Sequence, residues 1–353
     1  MPSPIQSILR AATRERGGKL NILTFPTHER YESNLCQTGH NFFSVAVPEY
    51  TKPGWDTDYA IIPENYTMLT NINDIPLDMD FDLVLSQNKF GQFDIAAELS
   101  RRYNCPIVSL EHTCPPNENL TDELTQTVYS PEMREAMISQ FYQKKAHVNV
   151  FISEWSRAEW GWKEDEGDVV HHGIDTSVFI PYAPIESRKN DCLSVVNDWA
   201  NRDWCCGYTL WENIVHRTST PTTVVGKNPG LSEPAENVEE LASKYNDSRI
   251  FLNTSIASPI PTTVLEAMSC GCAVVSTATG MIPEIIEDGY NGLLSNDPDK
   301  ICENINMLRN DLELAETLAN NAIKTIQEKF SLNSFIDRWN SLFLHAEMLG
   351  ERL

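Results

Sequence analysis

The chain has 353 residues, with 50 acidic against 27 basic side chains and a formal net charge of −23. That length accommodates two domains with substantial cores, while the acidic balance disfavours broad attraction to nucleic acid or anionic lipid. Alternating apolar runs and helical patterns, with 20 prolines and 16 glycines spread along the chain, point to an α/β protein rather than a fibrous or disordered one.

No apolar run approaches the roughly 20 residues needed to cross a bilayer. The opening MPSPIQSILRAATRERGGK also lacks the apolar stretch of a secretion signal. A cytoplasmic protein without stable membrane insertion is expected, in the host cytoplasm if the chain is viral. Ile5, Ile8 and Leu9 against Arg10, Arg14 and Arg16 suggest a short amphipathic helix, and Lys19 extends a local basic patch. Nine cysteines without paired spacing, including adjacent Cys205 and Cys206, read as reduced thiols. Cys270 and Cys272 read as small buried residues rather than half a zinc site, because no His/Cys pair stands nearby at ligand spacing.

In chain order, strands are expected at 19–25 and 42–47, then an irregular Pro- and Asp-rich excursion over 48–80. A strand at 82–86, a helix at 93–103 and a strand at 106–110 follow. Residues 131–145 form an amphipathic helix with Met133, Met137, Ile138 and Phe141 at helical spacing. A strand at 148–152 leads into a helix capped by Ser153. The polar stretch 182–190 reads as a linker. The second half has strands at 192–196, 222–225 and 249–252, with helices near 208–216 and 237–245. Helices near 299–309 and 311–329 precede a last amphipathic pattern of Leu332, Phe335, Ile336, Trp339, Leu342 and Phe343.

The densest chemistry lies in residues 258–294, SPIPTTVLEAMSCGCAVVSTATGMIPEIIEDGYNGLL. They read as loop, helix, buried strand, glycine turn and a second short helix. The first helix opens after Pro259 and Pro261, where Thr262 and Thr263 present hydroxyls and backbone N–H groups. A helix start with free N–H groups favours an anion, and phosphate is the natural guest. Glu266 lies one turn further in. A carboxylate beside an anion site suits a molecule carrying both phosphate and sugar hydroxyls, such as a nucleotide sugar. Ala273–Val275 form a short strand, after which the turn ending at Gly280 brings the chain back across the same crevice.

This stretch resembles the donor-binding segment of retaining glycosyltransferases of family 4. The residues that carry the resemblance are Leu265-Glu266-Ala267-Met268, Gly271, Ala273-Val274-Val275, Gly280, Ile282-Pro283-Glu284-Ile285-Ile286 and Asn291-Gly292. A second landmark, His172-Gly173-Ile174-Asp175 with Phe179-Ile180-Pro181, resembles the segment that closes that family's N-terminal domain, with His172 in place of the usual asparagine. The family has a further glutamate upstream of Glu266; here that position is Ser258.

The resemblance implies an α/β architecture of two facing Rossmann-like domains, the GT-B type, with an interdomain cleft and a C-terminal helix crossing back. The implied division is 1–173 as acceptor domain, 174–190 as hinge, 191–330 as nucleotide-sugar donor domain and 331–353 as the returning helix. The implied activity is retaining transfer of a hexose or pentose from a nucleotide-diphosphate sugar to an acceptor hydroxyl. Ser258, Thr262, Thr263, Glu266 and Gly280 then bind the donor, with Glu266 accepting hydrogen bonds from ribose hydroxyls. Arg202 matches the arginine that faces the donor diphosphate, and His112 matches a histidine touching the transferred sugar; these two are the implied catalytic residues. The lysine that normally follows the arginine is missing, and Lys227 is the candidate substitute. Thr27, His28 and Glu29, after the first strand, are candidate acceptor-side residues.

Asp78-Met79-Asp80 contains an Asp-x-Asp, but it precedes a strand and reads as a solvated turn. No metal and no resident cofactor are expected, since an arginine and helix N–H groups can offset diphosphate charge. The tryptophans at 155, 160, 162, 199 and 204 read mainly as packing residues, although Trp199 and Trp204 flank Arg202 and are placed to stack on a base or sugar. The acceptor is left open among a glycan, a lipid, a small molecule and a hydroxylated base of modified viral DNA. A catalytically silent nucleotide-sugar-binding module is the alternative from another class. A dinucleotide oxidoreductase is disfavoured, because no G-x-G-x-x-G follows the first strand.

Overall fold

The computed structural model describes residues 18–48, 50–57, 60–75, 79–116, 121–122, 127–257 and 261–350. The expected N-terminal amphipathic helix, Ser258 and Asp78 lie outside the described residues. The chain divides into two compact units, residues 1–171 with 335–353, and residues 172–334.

In the first unit the elements run β1 (Asn21–Thr24), α1 (Glu29–Cys36), β2 (Asn41–Val45), β3 (Tyr66–Leu69), β4 (Leu83–Ser86), α2 (Gln92–Tyr103) and β5 (Ile107–Glu111). The hairpin β6 (Thr121–Asp122) and β7 (Thr127–Val128) precedes α3 (Pro131–Gln143), β8 (Val148–Phe151), α4 (Glu154–Glu159) and β9 (Asp168–Val169). A seven-stranded sheet in the order β3-β2-β1-β4-β5-β8-β9 is parallel throughout. Its central strands are apolar runs buried on both faces, as parallel strands covered by helices must be. Phe93, Ala96 and Leu99 on α2 cover one face.

The second unit contains β10 (Lys189–Val195), α5 (Asp203–Cys206), α6 (Tyr208–Arg217), β11 (Thr222–Val225), α7 (Val238–Asp247) and β12 (Ser248–Asn253). It continues with α8 (Thr262–Ser269), β13 (Ala273–Ser276), α9 (Ile282–Ile285), β14 (Leu293–Leu294), α10 (Pro298–Asn310) and α11 (Leu312–Lys329). Its sheet, in the order β11-β10-β12-β13-β14, is again parallel. One core packs Leu193, Phe251 and Val274 against α7, α8 and α11. The other packs Cys192, Ile250 and Val275 against α6 and α10. Helices therefore cover both faces, as in a doubly wound sheet.

The last helix, α12 (Leu332–Gly350), has most of its length in the first unit. Trp339 Nε1 donates to the Tyr31 hydroxyl at 3.0 Å, and the Phe335 and Phe343 rings meet Tyr31 and Phe42 edge-on. Residues 174–190, expected as a hinge, are built into the second unit. Ile174 exchanges backbone hydrogen bonds with Phe330 and Leu332, Phe179 is buried in the core, and the Arg188 guanidinium donates to the carbonyls of Cys270 and Gly271. The excursion over 48–80, expected to be irregular, carries the edge strand β3. Only Tyr66 of that strand is buried, so no alternation marks it in the sequence.

Candidate active site

In an open parallel sheet, ligands bind beyond the C-terminal strand ends where neighbouring connections diverge. In the second unit that point lies between β10 and β12, because β10 pairs with β11 on one side and β12 on the other. The loops leaving these strands are tied together by hydrogen bonds. Asp198 N donates to Lys227 O at 2.9 Å, Lys227 N to Asn197 Oδ1 at 2.8 Å, and Trp199 N to Asn228 Oδ1 at 2.8 Å. Two glycines permit this close approach. A Cβ at Gly226 (φ +136) would sit 2.0 Å from Val196 O, and one at Gly207 (φ +67) would sit 2.0 Å from Thr254 O.

Arg202 caps the start of α5 and is exposed. Its guanidinium acts on the neighbouring Cys205 thiol but forms no ion pair with a carboxylate among the described residues, and like the exposed ammonium of Lys227 it remains available to an anion. Their loops are joined through Asp198, whose carbonyl accepts from Arg202 N at 3.1 Å and whose N–H reaches Lys227.

Helix α8 starts at Thr262 behind Pro261, and no side chain caps it. The N–H groups of Thr262 and Thr263 donate to none of the described residues, which leaves the helix start able to receive an oxyanion. Glu266 is buried, and one carboxylate oxygen accepts from the Tyr245 hydroxyl at 2.7 Å. Burial, and then the Glu266 charge, push the Tyr245 phenol well above its ordinary range, so it stays a donor. The loop after β13 closes over the same end of the sheet. Thr277 and Thr279 hydroxyls both donate to Ser255 O, at 2.5 and 2.7 Å, before the turn at Gly280 (φ +55).

The structure thus brings Arg202, Lys227, Thr262, Thr263, Glu266 and Gly280 onto loops and one helix at one end of one sheet. Trp199 is a packing residue, as mainly expected from the sequence, and takes no stacking role. It is buried, and its Nε1 donates to Cys206 O at 2.9 Å, so its ring belongs to the core. Trp204 keeps 45% of its surface exposed beside Arg202.

The first unit has an equivalent divergence point between β1 and β4. Thr27, His28 and His112 gather there around Gln87, a residue that sequence reasoning missed. The Gln87 amide nitrogen lies 3.0 Å from Glu32 Oε1, 3.2 Å from Thr24 Oγ1 and 3.3 Å from Phe25 O. Three acceptors around the nitrogen make the Gln87 oxygen the acceptor for His112 Nε2 at 3.2 Å. His112 therefore carries its proton on Nε2, and Nδ1 holds the lone pair when the ring is neutral. The Tyr31 ring meets it edge-on at 4.7 Å.

Glu32 anchors this network. It is buried, and it accepts from the N–H groups of Thr27 and His28 and from the Tyr66 hydroxyl. Burial raises its carboxyl pKa above the usual range, while those bonds act in the opposite sense. An acidic residue in the first turn after a polar loop is the only sequence signal it gave. Glu29, the expected acceptor-side residue, is committed elsewhere. Its carboxylate accepts from Lys52 Nζ at 2.9 and 3.0 Å and from Asp56 N at 3.2 Å. The Thr27 hydroxyl is engaged as well, donating to Phe25 O and accepting from Gln92.

Behind His112, Lys89 is almost wholly buried. Its ammonium contacts Lys144 O and Asn149 Oδ1 and lies over the Phe93, Phe141 and Trp162 rings. Burial lowers its pKa to about 7, against the opposing charge of Glu111. Among the described residues no cluster of three or more His, Cys, Asp or Glu side chains could hold a metal ion. No described helix is long and apolar enough to cross a membrane.

Residues 223–311, which include most of β11, the start of α8, Glu266 and Gly280, match the family described as glycosyl transferases group 1. That stretch is similar to a glycosyltransferase group 1 domain. An uncharacterized glycosyltransferase of Methanocaldococcus jannaschii is 29% identical over 117 residues, 32% of this chain and 30% of the relative. The chain thus spans less than a third of the length of that curated relative. Among solved structures, sucrose-phosphate synthase from Thermosynechococcus elongatus superposes with a TM-score of 0.69 at 14% identity, covering 92% of this chain and 98% of that one. Anabaena HepE in complex with UDP gives 0.68 at 13% identity, covering 92% and 99%. The fold is the GT-B type, with two parallel Rossmann-like sheets.

Proposed function

We propose that the protein is a retaining glycosyltransferase that takes its sugar from a nucleoside diphosphate sugar bound to the second unit. The observation that carries this reading is the uncapped start of α8, with Glu266 below it and two exposed cations, Arg202 and Lys227, on hydrogen-bonded loops at the same strand ends. Such an arrangement answers a ligand with a diphosphate at one end and hydroxyls at the other. The HepE structure, which shares the fold, holds UDP; here too the nucleotide is a diphosphate, with Trp204 rather than Trp199 available to its base.

In the proposed reaction the acceptor oxygen forms the new bond to the anomeric carbon while that carbon's bond to the diphosphate oxygen breaks. The departing phosphate oxygen takes the acceptor's proton, so a dedicated protein base is not required. Arg202, Lys227 and the Thr262 and Thr263 N–H groups meet the charge that develops on the leaving diphosphate. We assign no divalent metal to the site, and turnover is accordingly expected to persist in a chelator. His112, with its proton fixed on Nε2 by Gln87, is proposed to present Nδ1 to a sugar hydroxyl. The acceptor side is assigned to Thr27, His28 and His112 of the first unit, and the acceptor itself to the class of hydroxylated glycans, lipids or small molecules. Retention and the assignment of Ser258 to the donor rest on the resemblance of 258–294.

Thermal unfolding across a panel of uridine, guanosine and adenosine diphosphate sugars tests the reading. A ligand at 100 times its Kd adds about 2.7 kcal/mol of stability. No stabilisation by any nucleoside diphosphate or its sugar would overturn it.

A further inference from the structure

Cys205 and Cys206 are adjacent residues of the one-turn helix α5, and their sulfurs lie 3.4 Å apart. They sit under the candidate donor site, and their backbone carbonyls hold it together. Cys205 O accepts from Ile256 N at 2.8 Å and from Ala257 N at 3.1 Å, in the loop that leads from β12 towards α8. Cys206 O accepts from Trp199 Nε1 at 2.9 Å and from the Thr254 hydroxyl at 3.3 Å.

We infer that Cys205 and Cys206 form an oxidation site, at which closure to a vicinal disulfide pulls the loop of residues 254–257 away from α5 and weakens nucleotide binding. The inference rests on the donor-site reading for its consequence but not for its chemistry. A disulfide between neighbouring residues closes a ring that contains the peptide bond joining them. Across a trans peptide the two Cα atoms are about 3.8 Å apart, whereas disulfides ordinarily span about 4.4–6.8 Å. The ring therefore closes only if that peptide distorts. Its carbonyl is Cys205 O, the acceptor for Ile256 and Ala257. Oxidation thus acts directly on the bond that seats the loop.

The two thiols are also unequal in the way such chemistry requires. Cys205 is lowered to about 7, first by the hydrogen bond from Cys206 and, against burial, by the charge of Arg202. Cys206 is pushed upward by the same bond and by burial, so it remains the protonated partner. The other seven cysteines are all raised, first of all by burial. Only Cys205 has the character of an attacking thiolate.

With hydrogen peroxide as oxidant, the Cys205 thiolate attacks one peroxide oxygen, the O–O bond breaks, and a sulfenic acid and hydroxide result. The Cys206 sulfur then displaces the sulfenic oxygen, and its proton leaves with that oxygen as water. For hydrogen peroxide the sum is two thiols and one peroxide giving one disulfide and two waters.

The test uses the full chain treated with hydrogen peroxide and then with dithiothreitol. Peptide mass mapping is expected to show loss of two hydrogens from the peptide carrying both cysteines. Hydrogen exchange at the Ile256 and Ala257 amides is expected to accelerate, and UDP affinity to fall on the order of tenfold as those bonds are lost. All three changes reverse on reduction. In Cys206→Ser the peroxide-dependent changes are absent, because no ring can close. The inference is overturned if Cys114 or another cysteine oxidises while this pair stays reduced. It is equally overturned if the disulfide forms but the Ile256 and Ala257 amides keep their protection. A chain that binds no nucleotide before oxidation sinks the donor-site reading instead, while the mass and exchange results still decide the chemistry of the pair.

Discussion

Arg202→Ala separates a ligand-binding cation from a structural one. The guanidinium is exposed, acting on the neighbouring Cys205 thiol and forming no ion pair with a carboxylate among the described residues, and the helix-capping bonds of Arg202 are accepted by its backbone carbonyl from Cys205 N and Cys206 N. Alanine keeps that carbonyl and the backbone N–H, so the fold is expected to lose no more than about 0.5 kcal/mol. A charge-assisted hydrogen bond to a diphosphate contributes about 1.5–3 kcal/mol. Exposure to solvent and salt argues for the lower end of that range, so nucleoside diphosphate affinity is expected to fall about tenfold. Isothermal titration of UDP or GDP at two salt concentrations reads this directly. The wild-type chain should bind less tightly at high salt, and the variant should show a shallower salt dependence. A variant with unchanged melting temperature and unchanged Kd at low salt refutes the assignment of Arg202 to the diphosphate.

Three further outcomes follow from particular residues. Lys89 has a folded pKa lowered to about 7, so between that pH and its ordinary value near 10.5 the unfolded chain binds the extra proton. Its contribution to stability therefore rises with pH across that window, by at most about 1.4 kcal/mol per pH unit, and is lost as pH falls through 7. Urea unfolding of wild type and Lys89→Met at several pH values should show the difference moving in favour of wild type as pH rises. Gly207→Ala places a Cβ 2.0 Å from Thr254 O, and should lower both melting temperature and UDP affinity; a normal melting curve would show that the two loops are not in register as described. Ser258→Glu should change the preferred donor sugar in a competition assay, and an unaltered donor profile would remove Ser258 from the donor site.

The parts of the fold legible in the sequence are those buried on both sides. Strands β1, β4, β8 and β12 each hold an apolar stretch and are buried along most of their length because helices cover both faces of their sheets. Among the strands that escaped, β3, β9 and β14 are short edges with few buried residues. For the site, Thr262, Thr263 and Glu266 were legible because one contiguous segment carries them. Gln87 and Glu32 were not, since their contact joins residues 55 positions apart and exists only once β1 and β4 pair. Glu29 and Glu32 illustrate the limit within one helix. Both are acidic first-turn residues of α1, yet one is held by Lys52 and the other closes the network beneath His112. Trp199 reads mainly as a packing residue in the sequence, and its burial bears that out. Adjacency to Arg202 in sequence also suggested a ligand platform, whereas the turn of the loop sends the indole into the core. The two neighbouring cysteines looked like ordinary thiols, and only the carbonyl partners supplied by a loop some fifty residues away gave them a further role.

The account's central claim is that the second unit holds a nucleoside diphosphate sugar and releases the diphosphate when an acceptor hydroxyl takes the sugar. The most direct test is to supply each donor that stabilises the chain, with a panel of hydroxylated acceptors, and measure release of the nucleoside diphosphate together with the anomeric configuration of any product. The account predicts diphosphate release that depends on Arg202 and a product with the donor's anomeric configuration. A donor that binds tightly but is never consumed, or a product with inverted configuration, would contradict it.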